Sequence, residues 1–328
     1  MSDRFRVAIT MGDPAGVGPE VIFKALADAR LRGLARFAVI GDRAVLEEAQ
    51  RRFAPRARDV ELIVPRGGGR LRVTPGAVDA RCGAAAMRAI EAAIALGRAG
   101  SVQAVVTAPI HKQAMEKAGV TLIGHTEIFA ERTGTASYCL MLAHGHLRVT
   151  HVTCHQPLAH AIASLTTDRV MTAIRLTYET LVSLGVREPR IGVAGLNPHA
   201  GEGGLLGRED DAIIRPAVMM ARLKGVLASG PHPPDTVFPR LVSRDLDALV
   251  VQYHDQGHIP FKLLTFRHRR GEAGMRAVRG VNVTLGLPFV RTSVDHGVAF
   301  EIAGQGVADP GSMREAIRLA VKLARSNA

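Results

Sequence analysis

The stretch Asp247–Lys262 reads DALVVQYHDQGHIPFK, an apolar run followed, between Tyr253 and Lys262, by two histidines, an aspartate and a lysine. A short continuous apolar run bounded by turn residues fits a strand buried on both faces. Gly257 and Pro260 supply the turn that should follow it. A turn has no use for His254, Asp255 and Lys262, so the reading depends on what else in the chain could partner them.

Working outward, the same alternation recurs. RVAIT (6–10) precedes a helix beginning near Pro19, FAVIG (37–41) precedes AVLEEAQRR, and AVVTAP (104–109) precedes a helix through Ala114. HLRVTHVTC, RIGVAGLNP and GVNVTLGLPFV follow, separated by helical patterns such as DRVMTAIRLTYETLVSLG and DDAIIRPAVMMARLKG. Strands alternating with helix-period segments predict an α/β protein with a largely parallel sheet covered by helices on its faces. In such sheets the loops at the carboxyl ends of strands collect the ligand. The last helix, SMREAIRLAVKLAR, is expected to pack back on the first lobe.

The composition excludes several classes. With 328 residues, 47% hydrophobic and 22% charged, the chain can bury a large core and suits two α/β lobes or one large one. The net charge of +12 raises the question of nucleic acid, but the 42 basic residues are scattered, Trp is absent and only three Tyr are present. No zinc-finger or ribonucleoprotein motif appears, so the expectation is no nucleic acid, with anionic small substrates as the reason for the positive field. Cys82, Cys139 and Cys154 form no paired motif, which points to a reducing cytoplasm. The longest apolar stretch, from Cys82, is broken by Arg88 and Glu91 at amphipathic spacing, so it reads as a surface helix and no membrane association is expected.

Three strand ends carry a histidine: His155 after HLRVTHVTC, His199 in NPHAGEGG and His254 after DALVVQY. One such histidine alone reads as a hydrogen-bonded structural residue. Three projected toward one sheet edge read as ligands for zinc or a similar divalent metal, with a position left open for substrate. Asp255 is then an orienting or proton-transferring group and Lys262 an acid, base or anion contact, the alternatives being a turn cap and a solvated charge. In GHTEIFAERT, Thr126 reads as an N-cap and Glu127 as a first-turn residue, and the helix start with His125 is a ready anion site or simply a capped helix. MGDPAGVGPE matches neither dinucleotide nor P-loop spacing. Around NVTLGLPFVRTSVDHG, Asn282, Arg291, Asp295 and His296 lie on or just past a strand, where an arginine suits a carboxylate or phosphate oxygen or a structural ion pair.

These segments together, MGDPAGVGPE, VVTAPIHK, GHTE, LNPHAGEGG, PPDTVF, YHDQGHIPFK and GLPFVRTSVDHG, resemble the 4-hydroxythreonine-4-phosphate dehydrogenase family of pyridoxal phosphate biosynthesis across nearly the whole chain. The resemblance implies a two-lobed α/β/α fold like that of the isocitrate and isopropylmalate dehydrogenases, with the active-site cleft between lobes at a homodimer interface. It also implies a discontinuous first lobe of 1–134 plus 297–328 and a second lobe of 135–296 holding the metal site and the dimer interface. By resemblance the metal ligands fall on His155, His199 and His254, for Zn, Co, Mg or Mn, and the substrate contacts on His125, Thr126, Lys262, Asn282 and Arg291. HGVAFEIAG is similar to the adenosine-contacting loop of those relatives, which gives His296, Gly297 and Glu301 to NAD or NADP. Lys262 and Asp255 are the implied catalytic pair, and Asp235 of PPDTVF is a weaker candidate.

The implied reaction oxidises the C3 hydroxyl of 4-hydroxythreonine 4-phosphate to a 3-keto acid that decarboxylates to 3-amino-2-oxopropyl phosphate. Two departures keep paralogous substrates open: the basic connection across 263–281 and His258 in YHDQGHIPFK. Those substrates are 4-phosphothreonate, 4-phosphoerythronate or an aromatic cis-dihydrodiol carboxylate, and retention of GHTE favours a phosphorylated one. A three-histidine hydrolase or aldolase, and a basic nucleic-acid-binding protein using RHRR (267–270), remain as other classes.

Overall fold

The computed structural model describes residues 5–121, 124–267 and 277–326, and two compact units are defined by their internal contacts. The core of the basic connection, 268–276, lies outside the described residues.

The first unit comprises Met1–Thr135, Arg267–Asn282 and Leu287–Ala328. Its strands are β1 (Arg6–Thr10), β2 (Arg36–Ile40), β3 (Glu61–Ile63), β4 (Ala104–Thr107) and β13 (Val290–Val294), in the order β3-β2-β1-β4-β13 with every pairing parallel. Val7, Ala8 and Ile9 of β1 and Val105 and Val106 of β4 are fully buried, as a strand covered on both faces requires. Its helices are α1 (Gly18–Leu26), α2 (Ala29–Arg32), α3 (Arg43–Phe53), α4 (Ala80–Arg98), α5 (Lys112–Lys117), α6 (His125–Thr133) and α12 (Gly311–Ser326). On α4, Ala86, Ala89, Ile90 and Ala93 recur at helical spacing and pack with Ile128, Phe129 and Phe289 in one cluster, while Arg81, Glu91 and Ala95 stay exposed. Each fully buried large side chain such as Ile90 contributes about 1.5–3 kcal/mol of transfer free energy.

The second unit comprises Ala136–Phe266 and Val283–Gly286. Its strands are β5 (Cys139–His144), β6 (Leu147–His151), β7 (Arg190–Ala194), β8 (Leu227–His232) and β9 (Ala248–Val251). Two-residue strands β10 (Phe266–Arg267) and β11 (Ala277–Val278) lead to β12 (Val281–Leu285), which begins in the first unit and ends in the second. The second unit orders its strands β12-β5-β6-β9-β7-β8; β5–β6 is an antiparallel hairpin, whereas β6–β9, β9–β7 and β7–β8 are parallel. The sheet is therefore mixed rather than parallel throughout. Helices α7 (Leu158–Ala163), α8 (Thr167–Ser183), α9 (Arg215–Leu223), α10 (Phe238–Val242) and α11 (His254–Thr265) belong to this unit.

Three boundaries differ from the sequence reading. Residues 267–282 and 287–296 belong with the first unit rather than to a second lobe of 135–296, because β13 pairs with β4 and Ser312 Oγ donates to the Gly280 carbonyl at 2.6 Å. HDQGHIPFKLLT is a helix, not a turn. Gly257 is needed there because a Cβ would collide with His151, Val149 and Val251, so the glycine lets α11 lie directly on β6 and β9. Pro260 sits inside α11 at the cost of one helical hydrogen bond. Finally, α6 is capped by Gly124, which places His125 and Thr126 inside its first turn instead of Thr126 before it. Among the described residues no helix is long and apolar enough to cross a membrane.

Candidate functional site

In the first unit the polar residues gather where β4, β12, β13 and α6 meet. Arg291 is 1% exposed, and its Nη2 donates to Thr107 Oγ1 at 2.5 Å while the guanidinium lies 5.4 Å from the centre of the Phe129 ring. Burial pulls its pKa down to about 9, opposed by Glu127, so the group still carries its charge at neutral pH. His125 presents part of its ring to solvent, yet Nε2 is enclosed and has no hydrogen-bond partner. Burial first and Arg291 second hold the His125 pKa well below the usual histidine range, so the imidazole is neutral. Asn282 Nδ2 donates to the Val294 carbonyl at 3.4 Å, and its Oδ1 is buried without a partner. Thr126 is 5% exposed in the first turn of α6, whose Gly124 cap offers no side-chain acceptor to the leading N–H groups. Partnerless buried polar atoms are rare and mark places where a ligand or water belongs.

The loop from His296 to Ala308 also belongs to this unit. His296 Nδ1 bonds the Gly297 carbonyl at 2.9 Å, and burial lowers the pKa of the ring. Gly297 and Glu301 are exposed, and Phe300 stacks on His111 with centroids 4.6 Å apart. Lys24 Nζ donates to the carbonyls of Gly306 and Ala308 at 2.8 and 2.9 Å, and Glu20 Oε1 accepts from Ala308 N. A nearby cavity of about 290 Å³ is lined by Ala15, Glu20, Val45, Phe53, Leu71 and Gly304 among others, and not by His296, Gly297 or Glu301.

In the second unit, Cys154 Sγ and ring nitrogens of His155 and His254 lie within 4.8 Å of one another. His155 follows β6, and His254 opens α11 directly after β9. Gln252 and Gln256 fix that junction: Gln252 N donates to Gln256 Oε1 at 2.7 Å, and the two side-chain amides donate to the carbonyls of Ala194 and Gly195 at 2.7 and 2.8 Å. His254 Nδ1 lies 2.6 Å from Asp255 Oδ1, which leaves Nε2 for a cation and is the geometry of an orienting carboxylate. His258 stacks on His254 at 3.6 Å, and burial pushes its pKa down to about 2; His151, behind it, is pushed down to about 3 by the same cause.

His199 stands apart: among the described residues the cluster of possible ligands does not include it. It sits in the loop Pro198–Gly204, where His199, Ala200 and Glu202 all have positive φ, and its Nδ1 lies 2.5 Å from Glu202 Oε1. Glu202 raises the His199 pKa. Asp210, fully buried, accepts from the backbone N–H groups of Leu196 and Asn197 at 2.8 and 3.1 Å and anchors the start of that loop. Lys262 lies two turns along α11 from His254, with Nζ 5.3 Å from the Phe266 ring centre. Asp235 acts on His199 only as the smallest contribution to its raised pKa, behind Glu202.

Sequence reasoning missed Cys154, Gln252, Gln256, Asp210 and Thr107. The two glutamines were legible as a spacing of four across a strand-to-helix junction; Cys154 was not, because neighbouring residues of a strand ordinarily point apart.

In one unit His155 and His254 stand together, with His254 and the separate His199 each backed by a carboxylate, and in the other a buried arginine accompanies a neutral histidine: equipment suited to an anionic substrate. The family model for the pyridoxal phosphate biosynthetic protein PdxA matches residues 33–320. A 4-hydroxythreonine-4-phosphate dehydrogenase of Beijerinckia indica is 44% identical, covering 97% of this chain and 94% of its own. A D-threonate 4-phosphate dehydrogenase of Salmonella typhimurium is 43% identical, covering 97% and 98% respectively. The crystal structure of a 4-hydroxythreonine-4-phosphate dehydrogenase from Klebsiella pneumoniae superposes with a TM-score of 0.79 at 40% identity over 98% of this chain and 99% of that one. The chain belongs to the PdxA family of 4-hydroxythreonine-4-phosphate dehydrogenases.

Proposed function

We propose that the chain is an NAD-linked, metal-associated dehydrogenase that oxidises the C3 hydroxyl of 4-hydroxythreonine 4-phosphate, the 3-keto acid then losing carbon dioxide to give 3-amino-2-oxopropyl phosphate. The observation that carries this reading is the pair His155 and His254, held beside each other with His254 Nδ1 turned to a carboxylate. The donor set fits a divalent cation, and His199 on its Glu202-backed loop is the proposed third imidazole. When bound, the cation supplies Lewis-acid polarisation of the hydroxyl and then of the ketone, and the nicotinamide supplies the hydride acceptor.

The rest is work for the chain's own side chains. Arg291 presents a fixed positive charge, and the neutral His125 presents Nε2; with Thr126 and the uncapped start of α6 they bind the phosphate. Asn282 Oδ1 accepts from a substrate hydroxyl or ammonium. Lys262 contacts the carboxylate or accepts the proton of the C3 hydroxyl, while Asp255 keeps the His254 ring in place. His296, Gly297 and Glu301 serve the cofactor, on a loop that Lys24 and Glu20 tie to α1. The two-lobed architecture of the isocitrate and isopropylmalate dehydrogenases and the homodimer are part of this proposal. Exposed Met219 and Leu223 on α9 and Ile259 and Leu263 on α11 support the homodimer.

A second reading, D-threonate 4-phosphate as substrate, is favoured by the identity of 43% to the Salmonella enzyme of that name. Initial rates of NADH formation with the two phosphorylated acids, each with metal and with chelator, decide between them. A chelator-sensitive preference for 4-hydroxythreonine 4-phosphate supports the first reading, preference for D-threonate 4-phosphate replaces it, and no NADH from either removes both.

A further inference from the structure

We propose that Cys154 is a thiolate ligand of the metal in this chain, beside His155 and His254, and that it gives the site a preference for zinc or cobalt over magnesium or manganese. The inference rests on the metal reading above and adds a soft donor to it.

The geometry comes first. The three ligand atoms lie within 4.8 Å of one another, whereas donors bound to one tetrahedral zinc stand about 3.5 Å apart, so the atoms have roughly 1 Å to close on binding one ion. Consecutive residues of a strand point to opposite faces. Here Gln156 N donates to the Cys154 carbonyl at 2.7 Å, closing a three-residue turn centred on His155, and the two neighbouring side chains converge.

The other two cysteines behave differently. Cys82 and Cys139 are buried, and burial pushes their thiols up to about 11 and about 12, as expected of inert packing residues. Cys154 is only half-buried and stands among imidazoles. The donor set at hand is therefore one sulfur and two nitrogens; with His199 as a fourth protein donor, the substrate hydroxyl enters as a fifth ligand, a coordination number that zinc reaches in catalysis. Thiolate and imidazole suit zinc and cobalt, while magnesium and manganese prefer oxygen. Coordination breaks the S–H bond and forms a sulfur–metal bond; the proton passes to solvent and no electron is transferred.

The test is a titration of cobalt(II) into the chelator-stripped full-length protein, followed by absorbance. At one equivalent the wild type should show visible d–d bands together with an intense near-ultraviolet thiolate-to-cobalt band. Cys154→Ser should keep the d–d bands, which certifies a folded site, lose the near-ultraviolet band and bind zinc relative to manganese at least about tenfold less selectively. Visible bands without the thiolate band in the wild type, or an unchanged thiolate band in Cys154→Ser, would overturn the proposal while leaving the metal reading intact. Absence of any cobalt bands in the wild type would overturn both.

Discussion

Arg291 in the first unit is 1% exposed, whereas His199 in the second has a side chain 60% open to solvent, although both are assigned to ligand binding. The first is held by Thr107 and the Phe129 ring inside a packed layer; the second is held by one carboxylate on a loop of left-handed residues. A buried charge must be built into the fold before the ligand arrives, because leaving it unpaired costs several kcal/mol. An exposed imidazole carries no such cost and can be recruited by the metal itself. On the proposed function, the first unit is preorganised for an anion, and the second completes its site on binding a cation.

That contrast can be broken most decisively at His254. Replacing it with Ala should abolish stoichiometric zinc binding, read by calorimetry, and lower turnover on the order of a thousandfold, since several kcal/mol of transition-state stabilisation depend on the metal. Arg291→Lys keeps the charge but not the planar fork; kcat/KM for the phosphorylated substrate should fall about 100-fold, with zinc affinity unchanged. A loss of zinc affinity in that variant would dissolve the distinction between the units. Glu202→Gln and Asp255→Asn should each weaken zinc binding about tenfold without altering the melting temperature of the metal-free protein. If neither does, the carboxylates are not orienting the imidazoles.

The smallest effect concerns pH. His151 and His258 have folded pKa values near 3 and 2 against an ordinary value of 6.5, so below pH 6.5 the unfolded chain binds protons that the folded chain refuses. Their contribution to stability is complete above about pH 6.5 and is lost as pH falls toward those values, by up to about 1.4 kcal/mol per pH unit for each histidine. Denaturant unfolding of metal-free protein between pH 7 and pH 4 measures the slope, and His151→Gln should flatten it.

How much of this was legible in the sequence follows from the range of the interactions involved. Local periodicity gave β1, β4, β9 and α12, since apolar runs and helical spacing are properties of adjacent residues. His155 and His254 were found because a histidine at a strand end is a local signal. Gly257 and Pro260 misled, because glycine and proline punctuate turns as a rule and only contact with His151 shows why a helix needs the glycine there. The pairing of β13 with β4 joins residues far apart in the chain, which no pattern inside GLPFVRTSV announces. Cys154 escaped because adjacency to His155 ordinarily means divergence, and the tight turn that reverses this is a backbone feature. The basic connection 263–281 reads as a departure; its middle, 268–276, with most of RHRR, lies outside the described residues.

The most direct test of the account is a single turnover of zinc-loaded enzyme with 4-hydroxythreonine 4-phosphate deuterated at C3, the NADH being weighed by mass spectrometry. The account predicts NADH carrying the deuterium, accompanied by carbon dioxide, and neither product once chelator is added. NADH without deuterium, or NADH formation indifferent to chelator, would contradict it.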